Sequence, residues 1–237
     1  MAGRRLVVVE RIQKEHFDQI QNQYDIERIL NPPLHVQKEI NAICRLVEDH
    51  GCSSIVDFGS GTGRLALPLL RMGKNVIAVD ISGASLQRLS DLACSQGLLS
   101  NLAISHVLPM GVDCIVGADI LHHVHLDSAL QSIYEALNPD GLIVFSEPNA
   151  LHPAWVMLHT YPTWRWPTEK GLFSCTVGSF HRRLAKKGFR DIRIQGFGLF
   201  PPPLLNRVPV WQNLDIRLSK RYPFLYLAYR LLVTARK

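Results

Sequence analysis

The chain has 237 residues, of which 47% are hydrophobic and 19% charged, values of a globular protein with enough apolar material for a sizeable core. No apolar run approaches the roughly 18 residues of a membrane span, and the N-terminal run "LVVV" is too short for the core of a signal peptide, so a cytoplasmic protein is expected. The net charge of +6 is concentrated in residues 215–237, where Arg217, Lys220, Arg221, Arg230, Arg236 and Lys237 face Asp215 as the only acid.

Residues 1–50 read as a helical cap. Ile40, Ile43, Leu46 and Val47 recur at helical spacing after the "NPP" break at 31–33. From residue 53 the chain alternates. "SSIVDFG" is a strand and "RLALPLLRMG" a helix. "NVIAVDI" is a strand and "SGASLQRLSDLACSQG" a helix. "NLAISHVL" is a weak strand, "VDCIVGADIL" a stronger one, "LDSALQSIYEALNPDG" a helix and "GLIVFSEPN" the next strand. Fully apolar strands alternating with helices predict an α/β doubly wound, mostly parallel sheet with helices on both faces.

Residues 150–178 break the rhythm and carry Trp155, Trp164 and Trp166. A helix "VGSFHRRLAKKG" and a strand "FRDIRIQGFGLF" follow. The division expected is a cap over 1–50, a core over 51–200 with an insert at 150–178, and a basic aromatic segment over 201–237. That segment is expected to pack as a helix and to close with the strand "RLLVTARK"; contact with a membrane surface is the alternative. The five cysteines show no C-x-x-C spacing and are odd in number, which supports neither zinc nor a disulfide framework.

The stretch "IVDFGSGTGRLALPLL" (55–70) carries the chemistry. Gly59, Gly61 and Gly63 lie where a strand turns into a helix, at the end of a parallel sheet where ligands bind. The spacing G-S-G-T-G is neither the dinucleotide pattern G-x-G-x-x-G nor the phosphate pattern G-x-x-x-x-G-K-[ST]. Asp57 would repel a pyrophosphate and favour a cation. Asp80 ends the second strand, where a carboxylate can accept from both hydroxyls of a ribose. An acid for a cation, an acid for a ribose and a bare turn together describe S-adenosylmethionine.

These residues, with "VIAVDIS" (76–82), "VDCIVGADILHHV" (112–124) and "LNPDGLIVFSEPN" (137–149), resemble the class I, seven-stranded S-adenosylmethionine-dependent methyltransferases. The resemblance implies a seven-stranded sheet and an N-terminal helical cap. It places Gly59, Ser60 and Gly61 against the methionine part of the cofactor, Asp57 near its amino group, and Asp80 with Ile81 on the ribose side. Asp119, Ile120 and Leu121 then border the cofactor, and Tyr24 closes over it. The acid that the family usually offers to adenine is missing from "NLAISHVLPMGVD", which leaves Ser105 or backbone groups. The insert at 150–178 corresponds to a substrate lid.

Methyl transfer needs alignment and dryness, and a base only when the acceptor must lose a proton. His123 and Glu147 are the candidate bases; a carboxylate tied to nearby backbone is the plainer role for Glu147. Asn149, His152, Trp155, Trp164 and Trp166 are the candidate substrate contacts. No metal is expected. The acceptor expected is a small, apolar or lipid-like metabolite. A nucleic-acid substrate is disfavoured, because no catalytic "NPPY" motif follows the glycine turn. A non-catalytic partner subunit that keeps the cofactor site is the other alternative.

Overall fold

The computed structural model describes residues 26–160, 170–201 and 210–237. Two helices open the described chain, α1 (Ile26–Leu30) and α2 (Leu34–Asp49). The alternating part follows as β1 (Ser54–Phe58), α3 (Ala66–Arg71), β2 (Asn75–Val79), α4 (Gly83–Ser95), β3 (Leu102–Ser105), β4 (Val112–Ala118), α5 (Leu126–Ala136) and β5 (Leu137–Pro148). Then come α6 (Pro153–Thr160), α7 (Val177–Lys187), β6 (Arg190–Phe197), α8 (Trp211–Ser219) and β7 (Arg230–Arg236).

The sheet is seven-stranded in the order β3-β2-β1-β4-β5-β7-β6. β1 to β5 are parallel; β7 runs antiparallel to both β5 and β6. The two-residue period of a strand sends neighbouring side chains to opposite faces. Ile55, Cys114, Val116 and Val144 pack on one face with α2, α3 and α4. Val56, Ile115, Ile143 and Phe145 pack on the other with α5 and α7. Both faces are therefore dry, which is why these strands read as unbroken apolar runs. The predicted face of α2 is the buried one: Ile43 and Val47 are fully covered, each burial contributing roughly 1.5–3 kcal/mol.

Three local expectations are corrected. The helix predicted over 126–141 stops at Ala136, and Leu137 instead pairs with Val112 across a register shift in β4 and β5. β4 ends at Ala118 rather than Leu121, because Asp119 turns the chain with φ +59°. The tail segment "RYPFLYL" forms an exposed 3-10 turn at Phe224–Leu227, while the helix of that region is α8. The closing strand is present as β7. Of the N-terminal cap, residues 1–25 lie outside the described residues, and so do 161–169 of the insert. Among the described residues no helix is long and apolar enough to cross a membrane.

Candidate functional site

A cleft opens at the carboxyl ends of β1 and β4, where strand order reverses, the position at which open α/β sheets take ligands. The chain leaves β1 through Gly59, Ser60 and Gly61. Gly59 (φ +73°) and Gly61 (φ +50°) lie in the left-handed region, where a Cβ is penalised. At Gly59 sterics add a second penalty; at Gly61 they do not. A Cβ on Gly59 would lie 2.4 Å from Ile120 Cγ1. A Cβ on Gly61 would meet nothing within 4 Å, since Gly61 borders the open cleft. Asp80 braces this turn from β2. Its Oδ2 accepts from the Gly61 N–H at 2.8 Å and its Oδ1 from the Ser82 N–H at 2.9 Å.

The cleft holds about 410 Å³, within the roughly 300–1,000 Å³ of small-molecule sites. Among the residues expected there, Gly59, Ser60, Gly61, Asp80, Ile81, Asp119, Ile120 and His123 line it. Ser105 does not. Its hydroxyl donates to the Val107 carbonyl at 2.7 Å and accepts the Val107 N–H at 3.0 Å. His106 stands on the wall instead, with Nδ1–H donated to the Asp80 carbonyl at 2.9 Å. Leu121 is buried in the core beside α5. Tyr24, Trp164 and Trp166 lie outside the described residues.

Sequence reasoning missed a four-charge network behind the cleft. Asp119 accepts from Arg64 Nη1 at 2.6 Å and from Arg230 Nη2 at 2.7 Å. Glu39 of α2 meets the same two guanidiniums, at 2.9 Å from Arg64 and 3.0 Å from Arg230. Burial would raise the Asp119 carboxyl, but the positive charges of Arg230 and Arg64 outweigh it and hold the group well below the usual carboxylate range. The network ties α2, the turn after β1, the end of β4 and β7 into one wall. A signal for it existed in the lone Arg64 after the glycines, but its partners are distant in sequence.

Glu147 is fully buried and stands off the cleft. Its Oε1 accepts from the Ile120 N–H at 2.9 Å and the Leu121 N–H at 2.8 Å, and its Oε2 lies 2.6 Å from His122 Nδ1. The carboxylate thus holds the turn that presents Ile120 and His123. Asn149 holds the chain before β7 and His152 the chain after β6. Asn149 Nδ2 donates to the carbonyls of Tyr226 and Ala228 at 3.0 and 2.9 Å. His152 Nε2–H donates to the Leu199 carbonyl at 2.8 Å, and its Nδ1 accepts from Ala154. Trp155 donates to the Tyr229 carbonyl and stacks on the Tyr229 ring, centroids 5.0 Å apart. None of these three lines the cleft.

Asp57 sits beneath the glycine turn, 1% exposed, with Oδ2 buried and unpartnered among the described residues. Burial, joined by the charge of Asp80, pushes its carboxyl up to about 7 despite a backbone hydrogen bond from Ala66. The folded value lies above the unfolded one, about 3.9. Between about pH 4 and 7 the folded chain keeps a proton that the unfolded chain has released, so this group's contribution to stability falls as pH rises through that window. Urea unfolding between about pH 5 and 7 is expected to show this slope in the native protein and a flatter one in Asp57→Asn. An identical slope in the variant would assign it to other groups.

A family model described as a methyltransferase domain matches residues 19–194. The chain belongs to the methyltransferase domain family. It is 30% identical over 108 residues to an uncharacterised methyltransferase of Oceanobacillus iheyensis, covering 43% of this chain and 49% of the relative. It is 29% identical over 148 residues to the ubiquinone/menaquinone biosynthesis C-methyltransferase UbiE of Methylococcus capsulatus, covering 57% and 59%. The chain thus spans about half the length of the curated relatives it matches. Phosphoethanolamine N-methyltransferase 2 of Haemonchus contortus, solved with S-adenosyl-L-methionine, superposes with a TM-score of 0.62 at 16% identity, over 93% of this chain and 60% of that one. That likeness is one of fold. This methyltransferase-family chain shows the seven-stranded architecture the resemblance implied, and among its described residues no cluster of His, Cys, Asp or Glu could hold a metal ion.

Proposed function

We propose that the chain transfers a methyl group from S-adenosylmethionine to a small, apolar or lipid-like metabolite. The observation that carries this reading is the turn Gly59-Ser60-Gly61 braced by Asp80 over the switch-point cleft. The residues present fit the cofactor. Gly61 leaves open space for close approach. Ser60 lines the cleft, and its Oγ is a buried acceptor without a partner among the described residues, suited to an ammonium group; Asp57, behind the turn and off the cleft lining, adds an unpartnered buried Oδ2. Asp80 and Ile81 border the cleft where a ribose would lie, and His106 stands beside them on the wall expected to meet the adenine.

The bound cofactor would supply a methyl carbon already activated by a sulfonium. The chain's own part is to position and to dry. Ile120, Leu108 and Val124 give the cleft an apolar wall, which excludes water from the line of attack. His123 lines the same cleft and is the residue we assign to take a proton from an acceptor that must lose one. Glu147 acts as a positioning residue, since its three contacts fix the turn that carries His123. The quinone-pathway name of a relative supports a small acceptor. Exposed Tyr222 and Phe224, close in sequence to Lys220 and Arg221, support one met at a lipid surface.

Calorimetry tests the reading. S-adenosylhomocysteine, the demethylated product, is expected to bind the native chain in the micromolar range and NAD not detectably. Asp80→Ala should weaken product binding by about 2–3 kcal/mol, the loss of charge-assisted hydrogen bonds. Tight NAD binding without a response to the product would overturn the proposal.

A further inference from the structure

A second, smaller cavity of about 30 Å³ lies behind the charge network and is lined in part by Phe197, Phe200, Asp215, Ile216 and Tyr229. It is separated from the cleft by one layer of ion pairs: Glu39 and Arg230 border the cavity, while Arg64 and Asp119 border the cleft. That volume has room for roughly two water-sized groups. Within it Asp215 is 4% exposed. Its Oδ1 accepts from the Leu199 and Phe200 N–H groups at 2.9 and 3.3 Å. Its Oδ2 is buried and has no hydrogen-bond partner among the described residues. A buried acceptor left unmade costs about 1–3 kcal/mol, more when charged, so this oxygen is a vacancy on the cavity wall.

The charges around it do not fill that vacancy. Arg64 and Arg230 are matched by Glu39 and Asp119. His152 spends both ring nitrogens elsewhere, Nε2 on the Leu199 carbonyl and Nδ1 on the Ala154 N–H. Asp215 therefore has no ion-pair partner among the described residues, and burial raises its carboxyl for want of a cation. A metal ion is a poor match. Hard cations take six or more oxygen ligands, whereas the side-chain carboxylate and amide oxygens on this lining belong to Asp215, Gln212 and Glu39, and Glu39 already holds Arg64 and Arg230. An organic ammonium needs only one or two acceptors and is attracted to aromatic faces, which Phe197, Phe200 and Tyr229 offer.

We propose that this cavity is a binding site for a small organic ammonium group, with Asp215 Oδ2 as its anion and the rings of Phe197, Phe200 and Tyr229 as its walls. The site stands apart from the cofactor cleft and does not depend on the methyl-transfer reading.

The test is a titration of the full chain with methylammonium chloride followed by ligand-observed NMR, with potassium chloride at equal ionic strength as the control. Saturable methylammonium binding is expected, undisturbed by potassium. Asp215→Asn keeps an oxygen for the two backbone N–H groups and places an amide donor where Oδ2 stood. It should weaken binding at least tenfold. Phe200→Leu, at a half-exposed ring whose loss leaves the core intact, should weaken it about threefold to fivefold. Thermal unfolding reports whether each variant is folded, and should Asp215→Asn not fold, Phe200→Leu and the native titration decide. No saturable binding by the native chain, equal displacement by potassium, or undiminished binding in a folded variant overturns the proposal. Product binding in the cleft is measured separately, so failure of one site does not count against the other.

Discussion

Arg230→Met is expected to lower the free energy of unfolding by about 3 kcal/mol, the low end of the range for breaking a buried ion pair. Arg230 is 11% exposed and contacts Glu39, 3% exposed, and Asp119, 33% exposed. It also donates to Ser146 through Nε and Nη2. Removing the guanidinium leaves two carboxylates facing Arg64 alone. The cost stays near the low end because Arg64 still neutralises one of them and Asp119 keeps some water. The ion pair Arg190–Asp140 supplies the control, since its side chains are 65% and 75% exposed. Arg190→Met should cost under about 1 kcal/mol. Urea unfolding of both variants checks the pair of values; equal losses would show that the network behaves as a surface feature.

The second large effect is on binding. Gly61→Val is expected to reduce affinity for S-adenosylhomocysteine by more than about 2.7 kcal/mol, a hundredfold, while the fold survives. The valine would place its branches in the open space beside the turn and would carry about 1–2 kcal/mol of strain at φ +50°. Gly59→Ala should lose stability as well. Its Cβ would press on Ile120 at 2.4 Å, so stability falls along with binding. Calorimetry and thermal unfolding on the two variants separate these outcomes. Unchanged affinity in Gly61→Val would place the ligand elsewhere.

What the sequence made legible has a physical reason. The β-α alternation could be read because parallel strands buried on both faces leave unbroken apolar runs. The glycine turn and Asp80 could be read because they lie within one β-α-β unit, so their spacing is fixed locally. Residues whose roles depend on distant partners were not legible. Asp119 was placed beside the cofactor without the two arginines that clamp it, one of them far along the chain. Asn149, His152 and Trp155, expected on the acceptor, do not line the cleft and bond to backbone carbonyls between β6 and β7. Glu147, weighed as a base, spends its oxygens on the turn after β4. His106 lines the cleft where Ser105 does not, a difference of one residue that strand periodicity in a weak strand does not fix.

α8 shows a further limit. Its buried residues are Gln212, Asp215 and Ser219, while Trp211 and Leu214 face outward. An amphipathic pattern is normally read with the apolar stripe inward. Here the inward stripe is polar, because Asp215 and Ser219 accept the N–H groups of Gly198, Leu199 and Phe200 where β6 ends. The helix serves as a cap for a strand end, a role that hydrophobic periodicity does not report.

The position of β7 has a consequence for how the molecule is assembled. In chain order it follows β6, yet in the sheet it separates β6 from β5. Until residues 230–236 arrive, β5 offers an open edge and β6 has no neighbour to dock on, a state exposed to intermolecular pairing. Closing this gap brings Leu142 against Arg236 and Pro148 against Arg230 across a long chain separation, which slows folding by the loop-closure entropy it requires. The same event delivers Arg230 to Glu39 and Asp119. Maturation of the cofactor wall is thereby coupled to completion of the sheet, and a chain interrupted before residue 230 would display both a sticky edge and an unfinished pocket, marking it for quality control rather than for catalysis.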